Sequence, residues 1–246
     1  MPPLLQLASL HKRFGQVVIA DGLDLEVEQG AAVGIVGPNG AGKTSLFGLI
    51  SGDLRPDRGE IRLDGRVINH EDAARRCRQG IGRTYQVPRP FSGLTVFENV
   101  LLAAQQGARA RAPRCYELAY VTLERTKLAE EANRPAGSLG LLARKRLELA
   151  RALASEPRVL LLDEVAGGLT DPEVRELVEI VAAARQNGIA IVWIEHVVRA
   201  LLATVDRLIC LAGGHIIGDG EPRAVLSSPA VREVYLGTAL ASEVGA

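Results

Sequence analysis

The sequence predicts an α/β protein whose parallel-strand core carries an antiparallel β portion near its start and a mostly helical insertion in its middle. Three observations lead there. First, the apolar runs Val33–Val36, Val159–Leu162 and Ile189–Ile194 have strand length and lack the polar alternation of a half-exposed sheet; they read as strands covered on both faces. Second, Glu60–Leu63 and Arg66–Ile68 flank Asp64-Gly65, a two-residue hairpin signal, and residues 4–30 read as short strands with polar interruptions. Third, beyond the break Val87-Pro-Arg-Pro90 and up to residue 142, apolar residues recur at helical spacing with no buried-strand run.

Two helices can be placed closely. Thr170-Asp-Pro-Glu173 forms a capping box with Pro172 in the first turn, Val174, Leu177, Val178 and Val181 mark one face, and Gly188 ends the helix. A second helix, about Ala143 to Ala154, puts Leu147, Ala150, Leu153 and Ala154 on one side. The expected organisation is a single domain over 1–246. Residues 1–86 and 155–246 form the core with its β portion, and 87–154 form the helical part.

Bulk properties narrow the class. A chain of 246 residues buries roughly 70% of its unfolded surface, and its 47% hydrophobic content suits a substantial core. Its 29 basic and 29 acidic residues cancel and the basic ones are scattered, so no footprint for nucleic acid or an anionic membrane is expected. No apolar run approaches the ~18–20 residues of a bilayer span. The stretch from Met1 to Phe14 lacks the basic start and sustained apolar run of a signal peptide. Cys77, Cys115 and Cys210 stand far apart without metal-ligand spacing and read as incidental thiols in a reducing compartment. The expectation is a cytosolic protein that, if it works at a membrane, docks there.

The chemistry concentrates at strand ends. Gly37-Pro38-Asn39-Gly40-Ala41-Gly42-Lys43-Thr44 is a complete G-x-x-x-x-G-K-[ST] phosphate loop between the strand Val33–Val36 and the helical-looking Ser45–Ile50. Gly40 and Gly42 let the backbone curl with its N–H groups inward, and the following helix adds its positive end. Lys43 can neutralise β- and γ-phosphates, and the Thr44 hydroxyl can ligate Mg²⁺. The run Leu160-Leu-Leu-Asp163-Glu164 ends in two carboxylates: Asp163 to hold Mg²⁺ through water, and Glu164 within reach of a water attacking the γ-phosphate. His196 follows the third apolar run and is a candidate γ-phosphate contact, since α/β sheets build ligand sites at the carboxyl ends of their strands. Gln86 closes the strand-like Ile81–Tyr85 just before the proline break, a candidate contact to Mg²⁺ or water that could sense both halves.

Together these residues resemble the nucleotide-binding subunits of ABC transporters over essentially the whole chain. The resemblance implies that Phe14 stacks on adenine, that residues 37–45 form the Walker A cradle for ATP, and that Gln86 is the Q-loop residue. It likewise implies that Val159–Asp163 is the Walker B strand, Glu164 the catalytic glutamate and His196 the switch histidine. Ile81-Gly-Arg-Thr-Tyr-Gln, Leu94-Thr-Val-Phe-Glu-Asn-Val and Val234-Tyr-Leu-Gly237 look like the ATPases of branched-chain amino-acid importers, a pattern shared with urea or amide importers.

Two motifs depart from the family. Ahead of Arg146-Leu-Glu-Leu-Ala-Arg-Ala-Leu153, the signature Leu-Ser-Gly-Gly-Gln reads Leu139-Gly-Leu-Leu-Ala143, so Gly140 replaces the serine and Leu142 the later glycine. Gly168-Leu169-Thr170 stands where Asp or Asn usually follows Leu. Both motifs act across a dimer interface in the family. Either the loop reshapes to use Ser138, or the chain pairs with a different ATPase.

The expected function is an ATP-hydrolysing subunit, with ATP and Mg²⁺, peripheral on the inner face of the cell membrane. Its implied partners are transmembrane permease subunits, a second, non-identical ABC ATPase and, indirectly, an extracytoplasmic solute-binding protein. A GTPase is disfavoured because the chain has no Asn-Lys-x-Asp motif. An ATP-driven clamp on a macromolecule is the alternative, although neither a coiled-coil insertion nor a second ATPase domain is present.

Overall fold

The computed structural model describes residues 2–108 and 111–235. Residues 109 and 110 of the expected helical part, and Leu236-Gly237, lie outside the described residues.

The chain opens with two long strands, β1 (Leu5–Phe14) and β2 (Val17–Val27), paired antiparallel. They replace the short strands expected over 4–30. The polar interruptions fall where the register shifts, between Leu7 and Leu10 and again at Lys12, with Ser9 at φ 44°. Bulges absorb the breaks in pattern without ending the strand. β3 (Ala32–Val36) and α1 (Lys43–Ser51) follow, flanking the phosphate loop. β4 (Arg58–Leu63) then turns through Asp64 and Gly65, at φ 54° and 73°, into β5 (Arg66–Val67). Positive φ at both central residues is what a type I′ hairpin demands, and Asp-Gly supplies it. These strands make an antiparallel sheet in the order β2-β1-β4-β5.

After α2 (Ala73–Arg78) and β6 (Ile81–Arg83) come α3 (Val96–Gly107), α4 (Ala112–Arg125) and α5 (Leu141–Ala154). α3 starts at its own capping box, Thr95 with Glu98. Val96 and Val100 of α3, Ala119 and Leu123 of α4, and Leu147 and Ala150 of α5 share one apolar cluster. α5 begins two residues before the expected Ala143, because Gly140 takes the extended N-cap conformation and Leu141 is already helical.

The rest of the chain supplies β7 (Val159–Asp163), α6 (Asp171–Gln186), β8 (Ala190–Ile194), α7 (Val198–Leu202), β9 (Arg207–Ala212), β10 (His215–Gly220), α8 (Pro222–Ser227) and α9 (Pro229–Tyr235). The capping box of α6 forms as its sequence implies, with the Thr170 amide and hydroxyl donating to Glu173 at 2.8 and 2.7 Å. Thr170→Ala is expected to lower stability by about 1 kcal/mol. Urea unfolding should show this as a lower midpoint at unchanged slope.

Six strands form the second sheet in the order β10-β9-β3-β8-β7-β6, parallel except for β10. Alternate side chains part to opposite faces. Val33, Ile35, Val159, Leu161, Val192 and Ile194 join one core with Phe47 and Leu49 of α1 and the antiparallel sheet. Leu160, Leu162, Ile191 and Trp193 join the other, with Leu177 and Val181 of α6. Both faces are dry, so these strands read as unbroken apolar runs. The carboxyl ends of β3, β6, β7 and β8 share one edge.

Candidate functional site

The loop after β3 is shaped by its glycines. Gly37 has φ 152°, and a Cβ there would lie 2.1 Å from the carbonyl oxygen of Leu211. Gly42, at φ 91°, caps α1 and accepts the amide of Leu46 at 2.8 Å. Lys43 curls back over the loop, its Nζ donating to Gly37 O at 2.7 Å and Pro38 O at 3.0 Å. Burial pushes its pKa down, opposed by the carboxylates of Glu164 and Asp163. Ala41 is buried and donates its amide to Pro38 O at 3.2 Å. Asn39, Gly40 and Thr44 are exposed, and Ser45 is half-buried in the first turn of α1.

Asp163 closes β7 fully buried. Its Oδ1 lies 3.5 Å from the Thr44 hydroxyl, and its Oδ2 accepts Arg83 Nη2 at 3.3 Å. Burial raises its pKa and Arg83 draws it back down. Thr44 and Asp163 offer a hydroxyl and a carboxylate, hard oxygen donors. They fit a cation that keeps several waters and takes its remaining ligands from phosphate, as Mg²⁺ does.

Glu164 sits at φ 49°, a left-handed conformation that a non-glycine residue adopts at a cost of order 1–3 kcal/mol. Its Oε2 accepts Gln86 Nε2 at 2.5 Å, and its Oε1 lies 3.0 Å from His196 Nε2. An ionised carboxylate can only accept, so His196 carries its hydrogen on Nε2. Gln86, Glu164 and His196 thus meet on one carboxylate. Adjacent strands lie about 4.8 Å apart, and these residues follow the neighbouring strands β6, β7 and β8.

Phe14 is not part of that cluster. It ends β1 about half-exposed, with the Lys12 ammonium 5.0 Å from its ring centroid. Its strand partner Val17 leads to Ile19, whose backbone packs against Gly42 of the loop.

The altered signature has its own geometry. Gly140 is the N-cap of α5, with open space where a side chain would stand. Leu141 is 47% exposed, while Leu142 packs half-buried against the apolar core behind the parallel sheet. The helix starts at Leu141, and one residue further on, about 100° around the axis, the side chain turns inward. Ser138 spends its hydroxyl on Pro135 O at 2.8 Å.

Two charged residues at the site, half-buried Arg83 and buried Glu195, escape the sequence reading. Arg83 ends β6; besides Asp163 it donates to Ser51 Oγ at 3.0 Å and Asp53 Oδ2 at 2.8 Å, beside the far end of α1, with Tyr85 4.9 Å away. Glu195 stands between Ile194 and His196 and is 1% exposed. For Glu195 the available signal was a charged residue abutting an unbroken apolar strand.

Comparison with known proteins agrees with this architecture. Residues 20–167 match the family described as ABC transporter. The high-affinity branched-chain amino acid transport ATP-binding protein BraF of Pseudomonas aeruginosa is 34% identical over 96% of this chain and 99% of that protein. LivG of Escherichia coli K12, which carries the same description, is 33% identical with the same coverage. The ADP conformation of MJ1267, an ATP-binding cassette of an ABC transporter, matches with a TM-score of 0.86 at 29% identity, over 97% of this chain and 100% of that one. The chain belongs to the ABC transporter family, as one of its ATP-binding, ATP-hydrolysing cassettes.

Proposed function

We propose that this chain is the motor of an importer for branched-chain amino acids or a related small polar solute. It sits on the inner face of the cell membrane through permease subunits and hydrolyses ATP with Glu164, His196 and Gln86. The observation that supports this best is the convergence of those three side chains beside Lys43 and Thr44. The solute follows from what BraF and LivG are described as transporting.

The backbone N–H groups of residues 39–45, at the start of α1, receive the β- and γ-phosphates. Lys43 exchanges its two carbonyl partners for phosphate oxygens, which gives a buried ammonium charged acceptors in place of neutral ones. Thr44, Gln86 and, through water, Asp163 would hold Mg²⁺, which would neutralise charge on the phosphate oxygens. Glu164 orients the attacking water, and His196 turns its Nε2–H from Glu164 toward the γ-phosphate. The half-exposed ring of Phe14 is free on one side to stack on adenine.

The second ATPase is a different chain. Gly140 brings no hydroxyl to a partner's phosphate, and Leu141 presents an apolar side chain there. An intact signature from the partner completes the loop at 37–45, and the partner's own site is the weaker one. An extracytoplasmic binding protein delivers the solute to the permease. Among the described residues no helix is long and apolar enough to cross a membrane, which is consistent with docking through protein.

Co-purification from native membranes tests the reading. Permease subunits plus a second, non-identical ATPase are expected by mass spectrometry. Nucleic acid or ribosomal proteins in their place would overturn it.

A further inference from the structure

Glu195 is a carboxylate that a folded chain does not bury without a return. Its Oε1 accepts the amide of Ala166 at 2.6 Å, and its Oε2 accepts the amides of His196 and Val197 at 3.0 and 3.3 Å. One side chain therefore gathers N–H groups from two loops: the loop after β7, which carries Glu164, and the loop after β8, which carries His196. An apolar residue of similar size could fill the space at no greater cost in stability. What a carboxylate adds is a fork of acceptors that sets the distance between the loops.

The Glu164 loop has need of such a fork. Its left-handed backbone is pinned on both sides: the Glu164 amide donates to Ile194 O at 2.9 Å, and its carbonyl accepts Lys145 Nζ at 3.1 Å. Lys145 comes from α5, in the second turn after Gly140, and is itself buried. Burial pushes the Glu195 carboxyl up and the Lys145 ammonium down, and each opposes the other's shift by its charge.

We propose that Glu195 and Lys145 are positioning residues for hydrolysis, a buried clamp that holds Glu164 and His196 in one relative geometry and ties both to α5. The clamp touches neither nucleotide nor water; it acts through the two loops. Movement of α5 at its signature end is then felt at the Glu164 carbonyl, so the seating of that helix and the aim of the catalytic carboxylate are coupled. This inference rests on the reading of Glu164 and His196 as the hydrolytic pair.

The test uses the full chain in its native assembly. An amide can accept at only one end, so Glu195→Gln keeps either the Ala166 bond or the His196–Val197 pair. Its kcat is expected to fall ~10- to 50-fold, while KM for ATP and the affinity for a fluorescent ATP analogue move less than ~3-fold, the pattern of an interaction that matters in the transition state. Lys145→Met is expected to lose roughly 10-fold in kcat, and Lys145→Arg, which keeps a donor, to recover most of it. Adding Glu195→Gln to Glu164→Gln should cost nothing further, because residues acting as a unit are not additive. A wild-type kcat in Glu195→Gln overturns the clamp, and so does a joint loss of kcat, nucleotide affinity and melting temperature, which would mark a structural group only. If Glu195→Gln does not fold, the lysine pair decides, and failure of Lys145→Arg to rescue overturns it. Wild-type turnover in Glu164→Gln would instead bring down the reading of the catalytic pair on which the clamp depends.

Discussion

Glu164→Gln is expected to remove most ATP turnover and leave nucleotide binding nearly intact. The substitution keeps the size of the side chain but removes the negative charge that accepts from Gln86 and His196. Loss of a group that orients or polarises the attacking water costs roughly 10²- to 10⁴-fold in rate, while the loop that grips the phosphates is untouched. Steady-state phosphate release in the assembled complex, alongside equilibrium binding of a fluorescent ATP analogue, measures the two effects separately. The altered signature makes the prediction asymmetric. If the loop at 37–45 is completed by an intact partner signature, the same substitution in the partner ATPase costs much less than it does here. Equal losses in both subunits, or brisk cooperative hydrolysis by this chain alone, would contradict the unequal pair.

Lys43→Met should act on binding instead. The Lys43 ammonium is buried against the Gly37 and Pro38 carbonyls, and burial pushes its pKa down, so the charge is held at a cost. Removing it is expected to leave the melting temperature of the free chain unchanged or raised. Charge-assisted bonds to phosphate are worth about 2–3 kcal/mol, so ATP affinity should fall roughly 30- to 150-fold. The readout is the thermal shift: ATP at a fixed concentration should raise the wild-type melting temperature and barely move that of the variant. A large loss of stability in the free chain, with ATP affinity retained, would mean that the lysine serves the loop and not the nucleotide.

Much of this architecture could be read along the chain because its signals are local. The hairpin at Asp64-Gly65 needs only two residues that accept positive φ, and the start of α6 needs only Thr170 and Glu173 three positions apart. The three buried strands announce themselves because both faces of each are covered. The long strands β1 and β2 were harder, since a bulge interrupts the alternation that a strand is recognised by and leaves the strand itself intact. How Leu141 and Leu142 face could not be read along the chain, because the facing of a side chain at a helix start depends on which residue is the N-cap, and glycine at 140 left that open.

By itself the sequence determined the phosphate loop, the carboxylates that end a buried strand, and the fold class that brings such strand ends to one edge. Those follow from residue type, spacing and burial pattern, all of which are carried by neighbours in the chain. Only the tertiary structure decided that Gln86, Glu164 and His196 share one carboxylate, because that depends on β6, β7 and β8 lying side by side, an order set by strand pairing across 78 and 31 residues. The tertiary structure alone likewise set Arg83 on Asp163, Lys145 on the Glu164 carbonyl and Glu195 between two loops. A buried charge earns its place from partners distant in sequence, and no local pattern records who those partners are.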